Sequence, residues 1–164
     1  MGPLAALSSK RAAALLQRRQ RTGGAFERIG FSLRLSAATL ATLGPCAAHA
    51  MNSVELWWIV KALELWGPCL RGQCLVCFCD NAAAVCGCLS GYSSSVYVAK
   101  LVGAIHELLC QFNIVCWFEW LHTQSNPTDD ASREGGEQSL RRMGAQVQTV
   151  SAHLTSYLSR YYPT

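Results

Sequence analysis

Glu55, Asp80 and Asp129 are acids at positions where chemistry is feasible. Asp80 follows directly on the apolar run Cys74-Leu-Val-Cys-Phe-Cys79, so it sits where a short buried strand would end. Glu55 lies near the start of a helical pattern, and Asp129 follows the second apolar run, Ile114 to Leu121. In open α/β sheets, ligands gather beyond the carboxyl ends of strands. If the two runs are parallel neighbours, Asp80 and the segment after Leu121 meet at one sheet edge. Clustered carboxylates offer hard oxygens, which suit Mg²⁺ or Mn²⁺. Two such ions can activate water and stabilise the leaving oxygen in phosphodiester hydrolysis. Each acid also has a plainer reading. Asp80 could be a turn-former, and Glu55 and Asp129 could simply favour helix N-termini.

The elements that must position these acids can be read around them. Asn81 is placed to cap a helix through Ala82, Ala83, Ala84 and Val85, running to about Leu89. Ser53 is expected to cap a helix from Val54 to Trp66, ended by Gly67-Pro68. Its stripe is Val54, Trp57, Trp58, Ala62 and Leu65, with Glu55 at the border of the buried face. A loop follows at Gly91-Tyr-Ser-Ser-Ser95. Val98, Leu101, Val102, Ile105, Leu108, Leu109 and Phe112 then form the clearest amphipathic helix, with Asn113 as its stop. After the second strand, Thr128 is placed to cap a helix that opens on Asp129 and Asp130. A last helix is expected from Val147 to Tyr161.

The chain's 164 residues, half of them apolar, are enough for one domain with a core and exclude a disordered chain. The net charge of +4 is uneven: Lys10, Arg11, Arg18, Arg19, Arg21, Arg28 and Arg34 face Glu27 alone before residue 51, and the remainder is negative. Residues 1–24 read as a basic, disordered arm, whose composition also suits an organelle transit peptide. Residues 25–36 partly alternate and favour a strand. The uncharged stretch from Leu35 to Val54 is only mildly apolar and is broken by Gly44-Pro45, so no membrane partner is expected. Cys74-x-x-Cys77 resembles half of a zinc site, but no second pair follows at ligand spacing. Cys77 and Cys79 share one face of the strand, where cysteine can act as a small hydrophobe. The odd cysteine count, nine, favours a reducing, intracellular setting.

Several blocks together resemble the ribonuclease H domain of retrotransposon reverse transcriptases, of DIRS-type and related elements. They are Ser53-x-Glu55-Leu56, Phe78-x-Asp80-Asn81-x-Ala-Ala84, Gly91-Tyr-Ser, and Glu119-Trp120 followed by Asn126-Pro-x-Asp129-x-x-Ser132-Arg133. The likeness spans residues 52–133, within a domain expected over 25–143 and followed by a tail over 144–164. It implies an α/β, ribonuclease H-like mixed sheet flanked by helices, with incomplete or degenerate N-terminal strands. It implies Glu55, Asp80 and Asp129 as catalytic metal ligands for two Mg²⁺ or Mn²⁺ ions. His122 would be an auxiliary residue, and Asn81, Tyr92, Ser93 and Arg133 would contact nucleic acid. The implied activity is hydrolysis of RNA in an RNA–DNA hybrid. The family's first ligand, an aspartate in the first strand, has no counterpart, because no Asp precedes Asp80 and Glu27 is the only acid upstream of Glu55. A truncated or decayed nuclease is therefore expected. The alternative is a non-catalytic module that binds nucleic acid through its basic arm.

Overall fold

The computed structural model describes residues 11–19, 26–35, 39, 40, 43, 47–133 and 135–150. The architecture is mixed α/β, with elements in the order β1 (Arg11–Arg19), β2 (Phe26–Arg34), α1 (Ala47–Leu70), β3 (Cys74–Cys79), α2 (Ala82–Ser90), α3 (Val96–Gln111), β4 (Val115–Trp120), α4 (Gly136–Arg142) and β5 (Gln146–Val147). β1 and β2 pair antiparallel from Arg11↔Arg34 to Arg19↔Phe26, and β5 joins the far edge of β2 in parallel. β3 and β4 form a separate parallel pair, from Cys74↔Val115 to Cys79↔Trp120. No helix among the described residues is long and apolar enough to cross a membrane.

Residues 11–19, expected to belong to a disordered arm, are instead a strand. Leu16 drops into the core, and Arg18 meets its cross-strand neighbour Glu27 at 2.7 Å. Cross-strand pairing of this kind rewards an extended chain whatever its local helix preference. The expected strand over 25–36 corresponds to β2. Residues 1–10 and 151–164, and with them most of the expected last helix, lie outside the described residues; Val147 itself is in β5.

α1 is longer at both ends than its sequence signals suggest. Ser53, expected as its cap, lies inside it, fully buried, and its hydroxyl finds no hydrogen-bond partner. Leu56, Trp57, Trp58 and Val60 are all buried, so the helix is covered on more than one side. Gly67 and Pro68 do not stop it. Pro68 falls in the last turn, where it forgoes one bond to the carbonyl four residues back and only two residues of helix follow it. Gly67 is required by close approach: a Cβ there would overlap the Phe112 ring. The helix gives out at Gly72, which is left-handed (φ 72°) and donates its N–H to the Phe112 carbonyl at 3.0 Å.

α3 buries the stripe expected of it, Val98, Leu101, Val102, Ile105, Leu108 and Leu109, and packs against α1. Asn113, its stop, is the described non-glycine residue with positive φ (50°). The parallel pair β3–β4 lies on these helices through Leu75, Cys77, Cys79, Cys116 and Phe118, all buried or half-buried. The opposite face shows Val76, Phe78, Val115 and Trp117 to solvent, so β3, expected to be a buried strand, is covered on one side only because the helices pack on a single face of the pair.

Candidate functional site

The site begins where β3 ends. Cys79 points inward and is 7% exposed, and Asp80 follows it in the bend at the strand's carboxyl end, where strand alternation no longer sets the direction of the side chain. Asn81 then breaks into α2. Its Oδ1 accepts from the Ala84 N–H at 3.0 Å, and its Nδ2 donates to Asn52 Oδ1 at 2.9 Å. That second bond ties the start of α2 to α1, three residues before Glu55. One amide thus caps a helix and holds two acid-bearing segments together.

Glu55, Cys79 and Asp80 each bring one ligand atom within 4.8 Å of the others. Both carboxylates are half-buried. The thiol of Cys79 is pushed up to about 12, first by burial and further by Glu55 and Asp80, against a bond from the Asn81 backbone that lowers it. Sulfur is a soft donor, so the members of this cluster that suit a hard cation are the two carboxylates. That set fits Mg²⁺ or Mn²⁺, which commonly take one or two protein carboxylates and fill the remaining positions with water or substrate phosphates. It does not fit a structural zinc ion, which wants four closed N or S ligands. The eight described cysteines are free thiols, with Cys74 and Cys86 exposed and Cys79 and Cys88 buried.

Asp129 is not among the atoms that converge there. Its carboxylate accepts from Arg133 Nη2 at 2.8 Å, one helical turn away. Its own segment nevertheless reaches the site: Asn126 Nδ2 donates to Asp80 Oδ2 at 3.2 Å, and Asn126 Oδ1 accepts from both the backbone and the hydroxyl of Thr128. The helix expected from Thr128 is only a single 3-10 turn, Asp130–Ser132, and α4 starts later. Glu27, the upstream acid, lies in β2, is held by Arg18 of β1 and does not join the cluster.

His122 is exposed. Its Nδ1 accepts from the Gln124 N–H at 3.3 Å, and its ring meets Trp120 edge-on at 6.0 Å. Tyr92 is 70% exposed, while the Ser93 hydroxyl accepts from the Ser95 N–H in the same loop. Three parts of the site were not among the residues picked out from the sequence: Cys79 as the third converging atom, Asn52 as the anchor of Asn81, and Asn126 as the tie to Asp80. Asn126 stood within a recognised block, but nothing in its local pattern says which acid it contacts. A cavity of about 580 Å³ opens beside Glu55 and Asp80. Comparison with family models, with curated proteins and with solved structures finds no match for this chain.

Proposed function

We propose that the chain is a ribonuclease H-like domain of retroelement origin, in which Glu55 and Asp80 hold Mg²⁺ or Mn²⁺ and hydrolysis is impaired. The observation that carries this reading is the convergence of Glu55 and Asp80, distant in sequence, at the carboxyl end of a parallel strand. A bound ion would supply positive charge to a scissile phosphate of an RNA–DNA hybrid. The chain's own contribution is to hold the two carboxylates together, through Asn81 on Asn52 and Asn126 on Asp80. Tyr92 offers an exposed ring for stacking, and Arg133 a charge at the rim. With Asp129 turned to Arg133, two acids are fewer than a pair of ions requires, and this supports slow or absent turnover.

Titration with Mn²⁺, followed by cleavage of a labelled hybrid, tests the reading. Binding by the wild type, lost in Asp80→Asn together with any residual cleavage, is the expected result. Cleavage that survives Asp80→Asn removes this acid from the reaction.

A second reading is supported by the hairpin β1–β2, which carries Arg18, Arg19, Arg28 and Arg34 against Glu27. It is a non-catalytic surface for nucleic acid. Duplex binding that weakens steeply with salt and is unchanged in Asp80→Asn would favour it over the first.

A further inference from the structure

The separation of the two sheets leaves an opening with a definite chemistry. The 580 Å³ cavity is lined on one side by consecutive residues of β1, Ala13 to Gln17, and on the other by β3, Cys74 to Cys79, with Asp80 just beyond it. Its floor is α1, with Trp58, Ile59, Ala62 and Trp66. Among the described residues, β1 is paired only on its β2 side, and β3 only on its β4 side. Two strand edges without a neighbour among the described residues therefore flank one cavity, with an apolar helix beneath.

The ladder of β3 identifies which groups are turned toward that opening. The Val115 N–H donates to the Gln73 carbonyl, and the Leu121 N–H to the Cys79 carbonyl. In a parallel pair the residues in phase with these, Leu75 and Cys77, also bond to β4. Cys74, Val76 and Phe78 then direct their backbone N–H and C=O groups to the other edge. A row of alternating donors and acceptors is matched by an extended polypeptide, not by a small ligand or a helix. The floor supplies a further signal: Trp58 is 4% exposed, and its indole N–H finds no hydrogen-bond partner. The charged residues of the lining are Glu55 and Asp80, both acids, at the end where β3 terminates.

We propose that the slot between β1 and β3 receives one extended strand of a partner polypeptide, with apolar residues alternating onto α1 and a Lys or Arg at the Glu55–Asp80 end. Backbone groups of Cys74, Val76 and Phe78 provide the affinity, and the helix floor with the acids sets the side-chain preference. This assignment does not rest on the nuclease reading, because it uses open edges and charge and requires no metal.

The test uses the full chain in buffer with a chelator, and a fluorescein-labelled peptide of alternating Val and Thr with Lys at both ends. Anisotropy should show saturable binding, and amide exchange at Cys74, Val76 and Phe78 should slow when the peptide is added. Val76→Pro removes one slot-facing donor and leaves the β4 ladder intact. It should weaken binding about tenfold with an unchanged circular dichroism spectrum. A peptide with Glu in place of Lys should also bind more weakly. The proposal is overturned by absence of saturable binding, by binding without added protection at those three amides, or by equal affinity for the Glu peptide. Protection already present in the peptide-free chain would assign the slot to a segment of this chain or to a second copy, and would likewise overturn it. If Val76→Pro does not fold, the exchange pattern of the wild type decides the matter.

Discussion

Replacing Asp80 by Asn should make the metal-free protein more stable while removing its response to divalent ions. The two carboxylates of Glu55 and Asp80 lie within 4.8 Å of each other. At that separation, like charges repel by about 1 kcal/mol in bulk water and about 3 kcal/mol at the effective dielectric of a protein surface. Both groups are half-buried, so screening by solvent favours the lower figure. Asparagine keeps the shape, and its carbonyl can still accept from Asn126 Nδ2, so little packing or hydrogen bonding is lost. A gain of about 1 kcal/mol corresponds to a rise of about 2–4 °C in Tm for a chain of this size. Mn²⁺ at about ten times its dissociation constant should add about 1.4 kcal/mol to the wild type and nothing to the variant. The assay is differential scanning calorimetry of both proteins, with chelator and then with rising Mn²⁺. Two results refute the reasoning: an Asp80→Asn protein no more stable than wild type without metal, or one that Mn²⁺ stabilises as strongly as wild type. The first would mean that the acids do not repel in the folded state, and the second that the ion binds elsewhere.

Further outcomes follow from the packing and the buried thiols. Gly67→Ala should cost about 2 kcal/mol in urea unfolding, because the added methyl overlaps the Phe112 ring in a filled core. Asn81→Ala should cost about 1–2 kcal/mol by removing the cap on Ala84 and the bond to Asn52, and Asn81→Asp should recover the capping part only. Burial pushes the Cys79 and Cys88 thiols up to about 12 and Cys116 to about 11, from an ordinary value of 9.0. Their contribution is full below pH 9 and declines as the pH rises through 9 to 12, because the unfolded chain ionises first. The decline is about 1.4 kcal/mol per pH unit for each thiol. Lys61 acts in the opposite sense, since burial lowers its pKa and it is penalised while charged. Unfolding measured from pH 8 to 10 should therefore show a shallower decline in Cys88→Ala than in wild type, whatever the offset from Lys61.

Local signals carried the middle of the chain. The run Cys74–Cys79 with its two faces, the Asn81 cap and the buried stripe of α3 each depend on residues a few positions apart, and each is found where the sequence places it. Asp80 at a strand end was legible for the same reason. Elements whose energy comes from distant partners were not. β1 has Ala, Leu, Gln and Arg, which favour helix, and it becomes a strand because β2 offers nine residues of pairing. α1 runs past Ser53 and past Gly67-Pro68 because tertiary burial outweighs weak start and stop signals.

The same division separates the parts of the site. That Asp80 and the segment after Leu121 meet follows from strand order, since parallel neighbours bring carboxyl ends together, and Asn126 reaches Asp80 there. The acid at 129 does not join Glu55 and Asp80: its carboxylate is held by the Arg133 guanidinium, four residues on. The slot between β1 and β3 is the least local feature, because it is a space and no residue in it specifies a neighbour. Composition and periodicity determine which strands form and which faces they bury. The open edges and the cavity between them exist only once both sheets are set on α1, because edge hydrogen bonding is a property of strand order in space and leaves no trace in a run of side chains.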